Sequence, residues 1–177
     1  MRNNIVIGGF GGQGIMIAGG ILCQAAAIEG KFSTFFPSYG AEVRGGAAKC
    51  QVIISDEYIG SPIIKEIDIF LCFTKAAFNK YYLQLKERGI IIMNSDLVAD
   101  DENKLDKNIK KIGIEANQIA YKVGNKLFAN MVMLGAFIKS TKIFKKENVI
   151  NAIKEAFSQK KNVLDLNIEA FNIGCER

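Results

Sequence analysis

The sequence predicts an α/β fold in three layers, with a largely parallel sheet, a Rossmann-like glycine loop and a helical C-terminal part that packs on the sheet. Two patterns support this prediction: short apolar runs alternate with segments of helical periodicity, and the first apolar run ends in glycines directly before a helix. The chain has 177 residues, a length that suits one hydrophobic core. We therefore expect residues 1–177 to form a single domain.

The first predicted unit is a strand, a helix and a second strand. Residues 5–7 form a short apolar run, which is typical of a strand covered on both faces in a parallel sheet. Apolar residues then recur at helical spacing from Ile15 until Gly30, which ends the helix. Residues 31–36 predict the second strand, and Pro37 is expected to stop it.

Further strands are predicted at residues 47–55, 67–73 and 90–93, and a short one near Ile112 after a polar connection over residues 96–111. We expect the sheet to be largely parallel, with right-handed crossovers between its strands. Ligands of such sheets bind beyond the carboxyl ends of the strands. The segments that follow the strands are therefore where a site is expected.

A helix is predicted between the apolar runs at residues 67–73 and 90–93. Thr74 is its expected N-cap, Phe78 and Leu85 lie on its apolar face, and Gly89 is expected to end it in the left-handed conformation. The C-terminal part is predicted to be mostly helical because it carries three apolar stripes. The stripes are Leu127, Met131, Leu134 and Ile138; Val149, Ile150, Ile153 and Phe157; and Leu164, Ile168, Phe171 and Cys175.

Composition excludes several classes of function. No apolar run approaches the roughly 20 residues that span a bilayer, and the N-terminus lacks the pattern of a signal peptide, so we expect a cytoplasmic protein without a membrane span. The four cysteines are far apart and the chain has no histidine, which excludes most metal chemistry. We interpret Cys23, Cys50, Cys72 and Cys175 as small hydrophobic residues rather than ligands or reactive thiols.

The net charge of +5 does not predict nucleic-acid binding, because the lysines are spread out and no basic stripe with interleaved aromatic residues is present. A mild positive field suits an anionic cofactor or an acidic redox partner equally well.

The first glycine-rich motif is GFGGQG, in which Gly9, Gly11, Gly12, Gln13 and Gly14 are candidate site residues. It satisfies GxGxxG between a strand and a helix, where backbone amides and the helix dipole favour a phosphate or carboxylate. A dinucleotide site would also need an acidic residue at the end of the second strand, and none is present there. Three interpretations stay open: contact with an anion or cofactor, a tight turn against a partner subunit, and a dinucleotide site.

The second motif is PSYGAEVRGG at residues 37–46, which interleaves an aromatic residue, an acid and a guanidinium with glycines. In an extended segment, Glu42 and Arg44 project from the same face, where they can form an ion pair or clamp a planar anion. The alternatives are a surface salt bridge in a glycine-rich hairpin and a subunit interface. The candidate site residues of this motif are Ser38, Tyr39, Glu42, Arg44, Gly45 and Gly46.

Together, the two motifs resemble the gamma subunit, or gamma domain, of 2-oxoacid:ferredoxin oxidoreductases. The resemblance covers nearly the whole chain. Within this family, the chain most resembles the subunit of 2-oxoglutarate enzymes, and the subunits of pyruvate and branched-chain 2-oxoacid enzymes are the alternatives. It continues through CQVIISD at residues 50–56, Asn94-Ser95, Gly124-Asn125, Asn130-Met131 with Leu134-Gly135, and LNIEAF at residues 166–171.

The resemblance implies an enzyme that oxidatively decarboxylates a 2-oxoacid on thiamine diphosphate, passes electrons through iron–sulfur clusters to ferredoxin or another acceptor, and releases an acyl-CoA. This chain has no GDG segment for magnesium and thiamine diphosphate and no clustered cysteines. Alpha and beta subunits and a ferredoxin-like delta subunit are therefore the implied partners, and the isolated chain is expected to be inactive. Both motifs are then expected to contact coenzyme A, substrate or a partner subunit, with Arg44 best suited to an anionic group.

Two hypotheses from other classes remain. A self-sufficient Rossmann protein that binds NAD or a flavin nucleotide is disfavoured by the missing ribose-binding acid and the absent histidine. A regulatory anion-binding module would be favoured if no thiamine enzyme accompanied the chain.

Overall fold

The computed structural model describes residues 1–40, 46–98 and 105–177, and these residues form a sheet of six strands with helices on both faces. The strands are β1 (Arg2–Phe10), β2 (Phe32–Tyr39), β3 (Ala47–Ser55), β4 (Ile67–Cys72), β5 (Leu85–Asn94) and β6 (Lys110–Ile114). The helices are α1 (Ile15–Ile28), α2 (Lys75–Tyr81), α3 (Ala116–Val123), α4 (Ala129–Thr141), α5 (Lys146–Ala156) and α6 (Lys161–Gly174).

The sheet is largely parallel, as the sequence predicts, but it contains one reversed strand. The strand order is β2-β3-β1-β4-β5-β6, and β3 pairs antiparallel with both β1 and β2. Only residues 40–46 separate β2 from β3, whereas a parallel crossover needs about a dozen residues or more. Because β3 is reversed, its first residues lie at the same edge of the sheet as the carboxyl ends of the other strands.

The two faces of the sheet are covered unequally. Ile5 and Ile7 of β1 are fully buried on the side of α1, while Val6 belongs to the smaller core on the side of α2. This two-sided burial explains why the strand has a continuous apolar sequence rather than an alternating one. Helices α1 and α3–α6 contribute to the larger core.

Helix α4 lies inside the larger core and is buried on all sides from Ala129 to Ile138. It approaches α6 closely, with Gly135 and Gly174 at the contact. Leu127 is not part of the buried stripe predicted for this helix: it lies in the preceding 3₁₀ turn, Lys126–Phe128, and is 59% exposed. None of the described helices combines the length and apolar composition needed to cross a membrane.

The region around α2 confirms the predicted N-cap and corrects the end of the helix. Thr74 accepts a hydrogen bond from the backbone N–H of Ala77 at 3.3 Å. However, α2 ends at Tyr81, and Leu85 is the first residue of β5 rather than part of the helix. The left-handed residue is Arg88, with φ of 64°, and not Gly89. The strand therefore begins before Gly89, the glycine that was expected to end the helix.

The second strand also extends further than predicted. β2 continues through Pro37 to Tyr39, although Pro37 was expected to stop it. β2 is an edge strand, so a residue without a backbone N–H is tolerated where the N–H would point away from β3.

Candidate cofactor and interface site at the carboxyl edge of the sheet

The first glycine motif forms the turn between β1 and α1. The backbone N–H of Phe10 donates to Gln13 Oε1 at 2.7 Å, and the N–H of Gln13 donates to the carbonyl of Phe10 at 3.2 Å. The N–H of Gly11 donates to the carbonyl of Gly46 at 2.9 Å. These three amides are thus used within the protein, so the turn has a fixed shape before any ligand arrives.

Two glycines of this turn are required by close packing. A Cβ on Gly9 would lie 2.9 Å from the Cβ of Phe73, the residue that follows β4. Gly14 has φ of 73° and precedes α1, and a Cβ there would meet the side chain of Asn130, with its Cγ at 2.8 Å. Asn130 is buried, and its Nδ2 donates to the carbonyl of Gly14 at 3.3 Å. α4 therefore positions the start of α1.

The second motif meets the first at this edge. Ser38 and Tyr39 end β2, and Gly46 precedes β3 and accepts the hydrogen bond from Gly11. The sequence separates the two motifs, and the fold brings their ends into contact. Glu42, Arg44 and Gly45 were also predicted site residues, and they lie outside the described residues.

Beside the glycine turn lies a cleft of about 160 Å³ on the α2 side of the sheet, which we call the lysine cleft. Its polar lining is Ser38, Tyr39, Lys49, Lys80 and Tyr81. Lys49 lies directly opposite Ser38 on β2 and opposite Gly8 on β1. The ammonium groups of Lys49 and Lys80 lie 5.0 and 5.5 Å from the centre of the Tyr81 ring. Burial, followed by the nearby charge of Lys80, lowers the pKa of Lys49.

Sequence reasoning missed both lysines of this cleft. Lys49 is the one charged residue in the strand Ala47–Ser55, and that exception could have identified it, because lysine rarely lies in a buried strand without a reason. Lys80 gives no such indication, since an exposed lysine in the last turn of a helix is ordinary.

A second cavity, of about 330 Å³, lies on the opposite side of the glycine turn. Gly12 and Gly14 border it, and its apolar lining includes Phe128, Phe157 and Val163. Two further lining residues, Ile17 and Leu127, are 45% and 59% exposed. The turn therefore separates a basic cleft from a largely apolar one.

The cysteines line neither cavity and behave as hydrophobic residues. Cys50 and Cys72 are buried, whereas Cys23 and Cys175 are half-buried. Burial raises the pKa of the Cys23 and Cys175 thiols, and it raises the pKa of Cys50 to about 12. The described residues contain no group of three metal-binding side chains. These findings favour the structural interpretation of the cysteines over the reactive one.

The Cys50 thiol should therefore resist alkylation in the folded protein. Its pKa of about 12 leaves almost no thiolate at pH 8, and its Sγ donates to the carbonyl of Ile15 at 3.5 Å inside the core. We expect iodoacetamide to modify Cys50 only after unfolding in guanidinium, as measured by peptide mass mapping. Modification of Cys50 at the same rate in folded and unfolded protein would contradict this prediction.

The comparisons with known proteins agree on one family. The model of the family described as pyruvate ferredoxin/flavodoxin oxidoreductase matches residues 4–177. The chain is 39% identical over 178 residues to the 2-oxoglutarate synthase subunit KorC of Methanocaldococcus jannaschii, covering 99% of this chain and 94% of the relative. It is 34% identical to the ketoisovalerate oxidoreductase subunit VorA of Methanothermobacter marburgensis, covering 97% of this chain but 36% of that longer one.

Solved structures show the same fold. The keto/oxoacid ferredoxin oxidoreductase gamma subunit from Geobacter sulfurreducens superimposes with a TM-score of 0.81 at 36% identity, covering 98% of this chain and 96% of that one. A chain of 2-oxoglutarate:ferredoxin oxidoreductase from Magnetococcus marinus, with 2-oxoglutarate, coenzyme A and succinyl-CoA bound, superimposes with a TM-score of 0.90. That second match covers 99% of this chain and 30% of the other, and at 24% identity it concerns the fold alone.

Proposed function

Because this chain belongs to the pyruvate ferredoxin/flavodoxin oxidoreductase family and is a gamma subunit of a 2-oxoacid:ferredoxin oxidoreductase, we propose that its complex converts 2-oxoglutarate and coenzyme A to succinyl-CoA. The observation that carries this proposal is the full-length likeness to a 2-oxoglutarate synthase subunit, at 39% identity. The likeness to a ketoisovalerate oxidoreductase subunit, at 34% identity, makes a branched-chain 2-oxoacid the alternative substrate.

The chain's proposed part in this reaction is binding rather than chemistry. It has no histidine, and its cysteines are not clustered as iron–sulfur ligands are. Thiamine diphosphate with magnesium would supply the decarboxylation chemistry, and iron–sulfur clusters the electron transfer, from alpha, beta and delta subunits. Ferredoxin or a similar acceptor would receive the electrons at the end of this transfer.

The proposed binding region is the edge where the two motifs meet. The hydrogen bond from Gly11 to Gly46 joins the glycine turn to the last residue of the second motif, and Glu42 and Arg44 belong to the same motif in the sequence. The fixed turn supports a role as a rigid wall of a coenzyme A pocket or of a subunit contact. The guanidinium of Arg44 suits an anionic group such as the phosphates of coenzyme A or the carboxylate of the oxoacid.

Substitution of Arg44 tests this assignment. In the assembled complex, Arg44→Ala should raise the KM for coenzyme A or for the oxoacid about tenfold or more, because a charge-assisted hydrogen bond contributes about 1.5–3 kcal/mol. Steady-state kinetics measure this, and gel filtration shows whether the complex still assembles. Arg2→Ala, at the opposite end of β1, is the matched control and should change neither quantity. Unchanged kinetics and assembly in Arg44→Ala would remove this residue from the site.

The function itself is tested by pulling the tagged chain from its native cells and assaying the eluate. We expect coenzyme A-dependent reduction of a viologen dye with 2-oxoglutarate, and weaker or no reduction with pyruvate and 2-oxoisovalerate. Preference for 2-oxoisovalerate would favour the alternative substrate. If no thiamine-dependent partner co-elutes and the isolated chain binds NAD tightly, the proposal is wrong and the nucleotide-binding hypothesis takes its place.

A further inference from the structure

The lysine cleft brings two ammonium groups to the same aromatic ring, and no acidic residue among the described parts of the chain pairs with either of them. Lys49 is half-buried and Lys80 lies on α2, and both ammonium groups approach the ring of Tyr81. In the described part of the chain, no Asp or Glu lines the cleft or lies within ion-pair distance of either group. Two adjacent positive charges repel each other, and partial burial of one of them adds a desolvation cost. An anion between them would offset both effects.

The fold gives this cleft its composition. Lys49 reaches the carboxyl edge of the sheet only because β3 is reversed, and its cross-strand neighbours are Gly8 and Ser38. Gly8 lets α2 pack closely beside Lys49, since a Cβ there would lie 3.1 Å from Ala77 Cβ, and Ser38 is a hydroxyl-bearing residue of the cleft lining. Tyr81 is buried, so its ring is a fixed surface near which both ammonium groups lie.

The size and chemistry of the cleft select the class of anion. Its volume of about 160 Å³ is below the roughly 300–1,000 Å³ of sites that enclose a whole ligand, so it suits one compact group. Planar carboxylates are best matched by the guanidinium fork of arginine, whereas lysine acts as a point charge and is a common phosphate binder. We propose that Lys49 and Lys80, with Ser38, bind a phosphate or diphosphate group of a ligand whose remainder lies outside the cleft.

This phosphate has two possible sources. One is coenzyme A, which carries phosphates on its nucleotide end, and this source rests on the function proposed above. The other is inorganic phosphate or a different phosphoester that binds independently of the reaction. The site itself depends on neither choice.

The test uses the full 177-residue chain and needs no partner subunit. Inorganic pyrophosphate and adenosine 3′,5′-bisphosphate are titrated into the protein by calorimetry, with adenosine as the uncharged control. We expect both phosphates, but not adenosine, to bind saturably. The double variant Lys49→Gln/Lys80→Gln should bind them at least tenfold more weakly. Lys154→Gln, an exposed lysine on α5, should bind as the wild type does. Circular dichroism establishes that the variants are folded.

Two results would overturn the proposal: no saturable binding of either phosphate to the wild-type chain, or equal binding by the wild type and the double variant. The KM for coenzyme A in the assembled complex then identifies the source. A raised KM in the double variant assigns the phosphate to coenzyme A. An unchanged KM together with lost pyrophosphate binding supports the site and assigns it to free phosphate or another phosphoester. An inactive complex would count against the proposed function without affecting the binding result.

Discussion

Gly135→Ala is expected to destabilise the protein by about 3 kcal/mol or more, the upper end of what overpacking costs. A Cβ at this position would lie 2.6 Å from the backbone N of Cys175 and 2.7 Å from the carbonyl carbon of Gly174, besides meeting the carbonyl of Phe171. These atoms belong to backbone and cannot move aside as a side chain would, so α4 and α6 must separate. Urea denaturation followed by circular dichroism measures the loss.

Gly20→Ala is the matched control for this prediction. Gly20 lies within α1, and a Cβ there would meet no atom within 4 Å. The same substitution should therefore stabilise the protein by about 0.5–1 kcal/mol, because alanine is the better helix former. If Gly135→Ala were as stable as Gly20→Ala, the close contact between α4 and α6 would be wrong.

Gly14→Ala is the second substitution with a large expected effect, about 2–4 kcal/mol of lost stability. Part of the cost is the left-handed backbone at φ of 73°, which costs a residue with a Cβ about 1–2 kcal/mol. The rest comes from displacing Asn130, which is buried and hydrogen-bonded to the carbonyl of Gly14. Because Gly14 is part of the glycine turn, coenzyme A-dependent turnover of the assembled complex should fall as well.

Gly30→Ala separates the cost of the left-handed backbone from the cost of displacing Asn130. Gly30 has φ of 68°, close to that of Gly14, but a Cβ there would lie in open space. It should show the backbone cost alone, about 1–2 kcal/mol, with no loss of turnover. The double variant Gly14→Ala/Asn130→Ala should recover part of the loss, since Asn130 no longer obstructs the new methyl group. Equal destabilisation by Gly14→Ala and Gly30→Ala would contradict the proposed contact with Asn130.

The sequence predicts much of the fold because apolar runs and helical periodicity are local patterns. The strand at residues 47–55 illustrates the limit: its apolar run matches β3, but a buried run has the same pattern whichever direction it follows. The short connection at residues 40–46 was the available indication that β3 is reversed. The end of α2 was misplaced because Leu85 fits the helical spacing. In the structure, Leu85 pairs with β4 and therefore belongs to a strand.

The candidate site is predicted only in part, because its residues come from separate elements. GFGGQG was recognisable from its position between a strand and a helix, and the fold brings Gly46 of the second motif against Gly11. By contrast, the pairing of Asn130 with Gly14 links residues far apart in the sequence. The lysine cleft likewise needs the reversal of β3 and the position of α2, so a local pattern could have singled out Lys49 but not its approach to Lys80.

The central claim is that this chain supplies binding surface to a complex whose chemistry lies in other subunits. The most direct measurement is turnover of the purified partner subunits with and without the separately purified chain, using 2-oxoglutarate, coenzyme A and a viologen dye. We predict no turnover by the chain alone, little coenzyme A-dependent turnover by the partners alone, and full turnover after mixing. Full coenzyme A-dependent turnover without the chain, or turnover by the chain alone, would contradict the claim.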